Sequence, residues 1–356
     1  MSFETTEICF ETTTSRLRLR RPVEGDRAFH TAVHSDPRLY THAPHVLGTP
    51  ETNAEFFHAI LAHWEERGFG YWVAEDLRTG TPLGWIGVKQ QEGYLNLYYR
   101  FTAEAQGRGL AREAGRAAVA MATEWQPHDP VRALVKDHNT ASVRTAESAG
   151  LVRTGGRVVL SDDRDGETAS AVFEAPRVTR VDVLDAGTRA ELLDLWQAVN
   201  DAGGAVGFLP GAERSEVAAL LAVHEREMAS GAGFAGAMRA PDGQLVGWGW
   251  CVVGPNPLRR HAPWLHRVMV DPVRQGSGLG QVLMAGLHRM AREAGAEQLV
   301  LSTRSGTGVT RFYARCGYVE VGRLPGVIRV GPGDDRDEVF LVRRLDGQPL
   351  RPHGGD

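Results

Sequence analysis

The chain carries one chemical pattern twice. Glu104–Ala114 reads EAQGRGLAREA, and Val273–Leu283 reads VRQGSGLGQVL. Each places a glutamine, then small turn residues, ahead of a helix-forming run. Such a loop leaves backbone N–H groups unclaimed, and the helix dipole adds partial positive charge, so it attracts a phosphate or a similar anion. Glycine suits the position because a Cβ would hold the ligand's oxygens off the backbone. Gln106, Gly107, Arg108, Gly109, Leu110 and Ala111 form one candidate binding set; Gln275, Gly276, Ser277, Gly278, Leu279 and Gly280 form the other. The dinucleotide fingerprint G-x-G-x-x-G at the start of a β-α-β unit is absent, and each loop follows an antiparallel run of strands, which disfavours a Rossmann fold. A ligand-free glycine-rich turn would account for one such loop more easily than for two in matching context.

Ahead of the second loop, His266 stands two residues after Trp264, on the same face of a predicted strand. An imidazole with an ordinary pKa of about 6.5 can take a proton from an amine, directly or through water. The same ring can also simply line a pocket. His30 and His34, with His42 and His45 nearby, could hold a metal, but no H-E-x-x-H or cysteine partner accompanies them, and a solvated or pocket-lining face is the preferred reading. Cys9, Cys251 and Cys316 show neither a disulfide framework nor zinc spacing. G-x-S-x-G and P-loop motifs are missing, which leaves hydrolase and NTPase readings unsupported.

Two domains suit a chain of 356 residues, and a net charge of −4 argues against a nucleic-acid or anionic-membrane coat. The basic charge is nearly all Arg, with Lys only at Lys89 and Lys136. No run is long and apolar enough to span a membrane, and the start MSFETTEICFETTT lacks the pattern of a signal peptide, so a cytoplasmic protein is expected. The first half reads strand (RLRLRRP), two helices, three strands (YWVAED, PLGWIGVKQ, LNLYYRF), the glycine loop and its helix, then strand, helix and a closing hairpin. Thr49-Pro-Glu opens the second helix and Gly68 closes it. After APRVTR the order restarts, and the two loop glutamines stand 275 − 106 = 169 positions apart, about one domain length. The tail after 346 is expected to be disordered.

Q-x-x-G-x-G/A after a strand, with a later strand and an aromatic helix ending in Gly, resembles the GCN5-related N-acetyltransferase (GNAT) family, once in each half. The resemblance implies an α+β fold: two tandem domains, 1–176 and 177–346, each a mixed, mostly antiparallel twisted sheet with a V-shaped splay between its central strands and helices on both faces. It implies that the loops hold the pyrophosphate of acetyl-CoA or another acyl-CoA. The preceding strands, Tyr99 to Phe101 and Val268 to Met269 and Val270, would bind its pantetheine arm with free backbone groups.

The first half is similar to the RimJ/RimL type through SRLRLRRP, Glu113, and NTASVRTAESAGL with Asn139 and Ser142 as further cofactor contacts. Asn96 stands where that type has a carboxylate, and Ala146 where it has an acidic Tyr, so this half is expected to bind acetyl-CoA and catalyse poorly or not at all. The second half resembles the tabtoxin-resistance type through AGGAVGFLP, FYARCGYVEVGRLPG and VFLVRRL. There Tyr313 takes the place of the general acid that protonates the leaving thiolate, and it would also touch the cofactor. Trp264 and Ser302 replace two carboxylates, which leaves His266 as the candidate base. The expected function is acyl transfer to a small-molecule amine, such as an antibiotic or a biosynthetic intermediate, by a monomer or homodimer that needs no metal. An acyl-CoA-sensing scaffold and a protein N-terminal acetyltransferase are the alternatives.

Overall fold

The computed structural model describes residues 11–160 and 169–350. Cys9, the tip of the first closing hairpin and residues 351–356 of the expected tail lie outside the described residues. The chain divides into two compact units, Met1–Ala175 and Pro176–Asp356.

The first unit runs β1 (Thr12–Thr13), β2 (Leu17–Arg20), α1 (Arg27–His34), α2 (Pro50–Arg67), β3 (Tyr71–Asp76), β4 (Pro82–Gln91), β5 (Tyr94–Phe101), α3 (Leu110–Trp125), β6 (Val131–Val135), α4 (Thr140–Ser148), β7 (Val152–Val158) and β8 (Ser170–Glu174). Its sheet has the order β1-β2-β3-β4-β5-β6-β8-β7. Helix α2 shows why the boundaries were readable. Thr49 accepts a hydrogen bond from the Thr52 N–H, Pro50 opens the first turn, and Gly68 closes it at φ 74°. Its inner face is Asn53, Phe57, Ile60, His63 and Trp64, with Phe57 the deepest aromatic. The two polar residues on that face are satisfied by Ser35 Oγ and by the Phe69 carbonyl.

The second unit repeats the plan with β9 (Arg177–Val181), α5 (Ala186–Asp201), α6 (Arg214–Ala229), β10 (Gly233–Arg239), β11 (Leu245–Val252), β12 (Trp264–Val270), α7 (Leu279–Glu293), β13 (Gln298–Arg304), α8 (Val309–Arg315), β14 (Val319–Gly331) and β15 (Asp334–Arg344). Read from its β9 edge, the sheet is β9-β10-β11-β12-β13-β15-β14. The joint segment RVTRV is thus itself an edge strand, paired with β10.

Strand β11, LVGWGWCV, alternates by face. Trp248 and Trp250 join the core beneath α5 and α6 with Trp196 and Leu221. Gly247 and Gly249 point the other way, where Leu283 and Leu287 of α7 occupy the space a Cβ would need. Large on one face and absent on the other, the side chains let α7 lie close to the sheet.

In both units every neighbouring pair is antiparallel except the central one. β5 and β6 are parallel and meet only at Leu95–Val131 and Asn96–Arg132; β12 and β13 meet only at Trp264–Val300. Beyond those pairs the strands part, and one edge of β5 and of β12 keeps unpaired backbone groups.

Gly286 on α7 marks the tightest approach of helix to sheet, since a Cβ there would lie 2.4 Å from Val178 Cβ. An alanine should gain helix propensity worth up to about 1 kcal/mol. It must also displace a buried β-branched side chain, and overpacking of that kind costs about 1–3 kcal/mol. Gly286→Ala should therefore be destabilised in urea denaturation; an unchanged or raised midpoint would refute this packing.

Candidate active site

The two glycine loops are built alike. Gly107 and Gly109 have φ of 71° and 74°, Gly276 and Gly278 of 79° and 99°, a region that side-chain-bearing residues rarely enter. A Cβ on Gly107 or Gly276 would meet no protein atom within 4 Å, so these residues are required by the turn and by whatever approaches the backbone. Gln106 Nε2 donates to the Phe101 carbonyl at 3.4 Å, and Gln275 Nε2 to the Val270 carbonyl at 3.2 Å. The glutamines thus tie each loop to the end of its strand. Gly109 and Gly278 start α3 and α7, whose first-turn N–H groups at Leu110, Ala111, Leu279 and Gly280 have no intrahelical partner. Ser277 Oγ donates back to the Arg274 carbonyl at 2.6 Å. Gly280, where the first loop has Ala111, makes room for the Phe312 ring, 2.9 Å from its would-be Cβ.

The first loop has an additional brace. Glu113 accepts from Thr14 Oγ1, Ser15 Oγ and the Arg16 backbone, and pairs with Arg16 Nε at 2.6 Å. Arg16 also donates to the Arg108 carbonyl at 2.8 Å, which holds a cation over the loop. Burial alone would raise the Glu113 pKa, but these hydrogen bonds outweigh it and keep the carboxylate below its usual range.

Tyr99 and Phe101, and Val268, Met269 and Val270, line the unpaired strand edges. Met269 is packed in the core, so only its backbone can meet a ligand. The Tyr99 hydroxyl donates to the Ser142 carbonyl at 3.0 Å, and burial pushes its pKa up to about 12. Asn139 accepts from the Ser142 N–H at 3.1 Å and caps α4. Both residues line a cavity of about 530 Å³ between β5 and β6, with Tyr98, Arg100 and His138.

The strands that precede the loops differ in one respect. β5 pairs with β4 in unbroken register from Tyr94 to Phe101. In β12, His266 lies opposite Trp250 and Met269 opposite Trp248, so three steps of β12 face two of β11. The extra residue is Arg267 at φ 50°, a bulge that re-aims the backbone beside the splay. Counting through it, Asn96 corresponds to Trp264 and Tyr98 to His266.

Around His266 the structure gathers Trp264 and Ser302 together with His224, Glu227, Phe340 and Glu338, which sequence reasoning missed. The Trp264 ring lies nearly parallel to it at 6.1 Å and meets Phe340 at 6.1 Å. His224 sits 6.4 Å away, with Nδ1 on Glu227 at 2.8 Å and its buried Nε2 without a partner. Ser302 donates to Glu338 Oε1 at 2.6 Å. Strand alternation puts Ser302 and Glu338 on the face of Trp264 and His266. β15 therefore brings a carboxylate to this face. Burial, assisted by Arg267 and His224, lowers the His266 pKa to about 4, so the ring is a neutral proton acceptor at pH 7. The Arg267 side chain lies against Gly207, whose φ of 110° and missing Cβ make room for it.

Tyr313 stands apart. It is the inward residue of α8, with Phe312 and Tyr318 rings at 5.1 and 5.7 Å, and burial raises its pKa. Among the described residues nothing bonds its hydroxyl, and no contact joins it to His266.

In the first unit His30 and His34 are buried, not solvated, and no group of metal-ligating residues forms among the described residues. Burial lowers His34 to a pKa of about 4. Its Nδ1 lies 2.8 Å from the His30 carbonyl, which only accepts, so the neutral ring's Nε2 accepts from the Tyr98 hydroxyl at 2.7 Å. Both units thus carry a protonatable ring at one strand position, Tyr98 in β5 and His266 in β12.

Family models match each unit separately: an acetyltransferase (GNAT) domain at residues 16–152 and the acetyltransferase (GNAT) family at residues 196–318. The chain belongs to the GNAT acetyltransferases, with one family domain in each unit. An uncharacterized protein, YkkB, from Bacillus subtilis is 29% identical over 148 residues, 39% of this chain and 83% of that protein. A mycothiol acetyltransferase from Saccharomonospora viridis is 29% identical over 222 residues, 59% of this chain and 69% of that protein. Among solved structures, yncA of Salmonella typhimurium, solved with its cofactor acetyl-CoA, covers 99% of its own length and 51% of this chain, at 17% identity and a TM-score of 0.39.

Acetyl-CoA is the cofactor of this family. The residues present fit it: two open cradles of positive-φ glycines, each at a helix start and each below an unpaired strand edge. A valine at Gly109 or Gly278 would have to adopt the left-handed region, at a cost of roughly 1–3 kcal/mol, and would fill the cradle. Native mass spectrometry with acetyl-CoA should show two bound equivalents for the intact protein and one for either Gly109→Val or Gly278→Val. Full occupancy in both variants would show that the loops do not hold the cofactor.

Proposed function

We propose that the second unit transfers an acyl group from acetyl-CoA to the amine of a small molecule, an antibiotic or a biosynthetic intermediate, while the first unit binds acyl-CoA. The Arg267 bulge carries this reading. It interrupts the ladder with β11 beside the splay, where the charge that develops on an acyl oxygen needs hydrogen-bond donors. His266 is the adjacent residue. A relative named mycothiol acetyltransferase, similar over more than half the chain, supports a small acceptor.

Bound acetyl-CoA supplies the activated thioester. His266, neutral because it is buried, accepts the proton of the attacking amine as the new C–N bond forms. Trp264 holds the imidazole by near-parallel contact, and Glu227 with His224 places negative charge behind it. Glu338, held by Ser302, offers a second acceptor on the same face and favours catalysis over a purely sensing role. Tyr313, whose raised pKa keeps it protonated at neutral pH, returns a proton to the sulfur as the C–S bond breaks.

Thiol release over a panel of small amines tests these roles. Tyr313→Phe and His266→Gln should each lower turnover by about 10²–10⁴ while leaving acetyl-CoA binding intact. His266 is lowered to about 4 and acts in its unprotonated form, so activity that depends on it falls only as the pH drops toward 4, not at the usual imidazole value. Turnover unaffected by both substitutions would overturn the assignment; release lost only in Gly109→Val would move the chemistry to the first unit.

A further inference from the structure

The first unit holds a cation that no acidic side chain among the described residues neutralises. Arg100 of β5 is half-buried at the wall of the 530 Å³ cavity. Its Nε donates to the Tyr98 hydroxyl at 2.9 Å and its Nη1 to the Leu39 carbonyl at 3.1 Å, and the guanidinium lies 3.9 Å from the Tyr40 ring centre. All three partners are neutral. Nη2 donates to no acceptor among the described residues. Arg20 of the same unit shows the usual arrangement, clamped by Asp26 at 2.7 Å and Glu75 at 2.6 Å. A guanidinium withdrawn from water keeps its charge, and holding it without a counter-anion is costly.

The rest of the cavity adds to the imbalance. No Asp or Glu is among its described lining residues. None of Gln106 to Ala111 lines it, so this cation is separate from the pyrophosphate cradle. We infer that the first unit's cavity recognises a carboxylate, received end-on by Nη1 and Nη2 of Arg100. The guanidinium is fixed in place by Tyr98, Leu39 and Tyr40, and its planar fork matches a carboxylate's two oxygens. The carboxylate belongs either to the far end of a dicarboxylic acyl group on CoA or to the acceptor.

Two matched pairs separate the sources. Succinyl-CoA and butyryl-CoA share the whole CoA moiety and a four-carbon acyl chain, and differ in one terminal carboxylate. A dipeptide with a free C-terminus and its amide differ likewise on the acceptor side, and are tested with CoA present. Binding to the full chain is measured by calorimetry, and the site is located by hydrogen-exchange protection of residues 95–101 and 131–139. One pair should show a preference of roughly tenfold or more for the carboxylate member, the scale of one charge-assisted hydrogen bond. Protection should fall in the first unit. The preference should vanish in Arg100→Gln and survive, reduced, in Arg100→Lys. A preference in the first pair assigns the carboxylate to the acyl group, and one in the second to the acceptor. Equal affinities within both pairs for the intact protein would overturn the inference, whether or not the Arg100 variants fold. So would a preference that persists in Arg100→Gln, or protection confined to the second unit around Arg267.

Discussion

The architecture of each unit turns on two parallel strands that do not stay together. In each unit the central pair meets at one or two residues and then diverges. A sheet ordinarily hides its backbone groups in a ladder; here a strand edge in the interior of the sheet is left open. The glycine loop and its helix lie at the end of that edge, tied to it by a glutamine. An extended ligand with an anionic end is therefore met by hydrogen-bonding groups along its length and by a helix start at its terminus.

The same plan carries different side chains around the opening in the two units. In the first unit the strand runs regularly and presents Tyr98, bonded to a neutral His34 and to Arg100. In the second it is interrupted, and the neighbouring ring is an imidazole backed by His224 and Glu227. Glycines on the α7 side of β11 and tryptophans on the other let helix and sheet close tightly behind the site. The tight packing gives the opening fixed walls.

Much of this was legible in the sequence. Capped helices such as α2, the two glycine loops and the repeated order of elements are local signals, set by turn chemistry and periodicity. What escaped depends on contacts distant in sequence. Glu338 reaches Ser302 across 36 positions, and His34 reaches Tyr98 across 64. Periodicity could show that His34 shares a helix face with His30, but not that a carbonyl fixes its tautomer and a phenol its other nitrogen. The bulge left no mark either, since Arg at position 267 looks ordinary in a strand. Its signature is only a mismatch in count between two strands. The reading that Trp264 and Ser302 stand where related sequences carry carboxylates could not foresee Glu338, which β15 brings to Ser302.

The position of Arg267 has a consequence for how such a duplicated chain can diverge. Inside a regular ladder, one added residue turns every later side chain to the opposite face. At Arg267 the β13 neighbour has already departed, so the added residue has only β11 to satisfy, and the bulge absorbs it while leaving His266 and Met269 on their proper face. The gap between the central strands is thus also a place in the sheet where the chain can gain or lose a codon and keep its register.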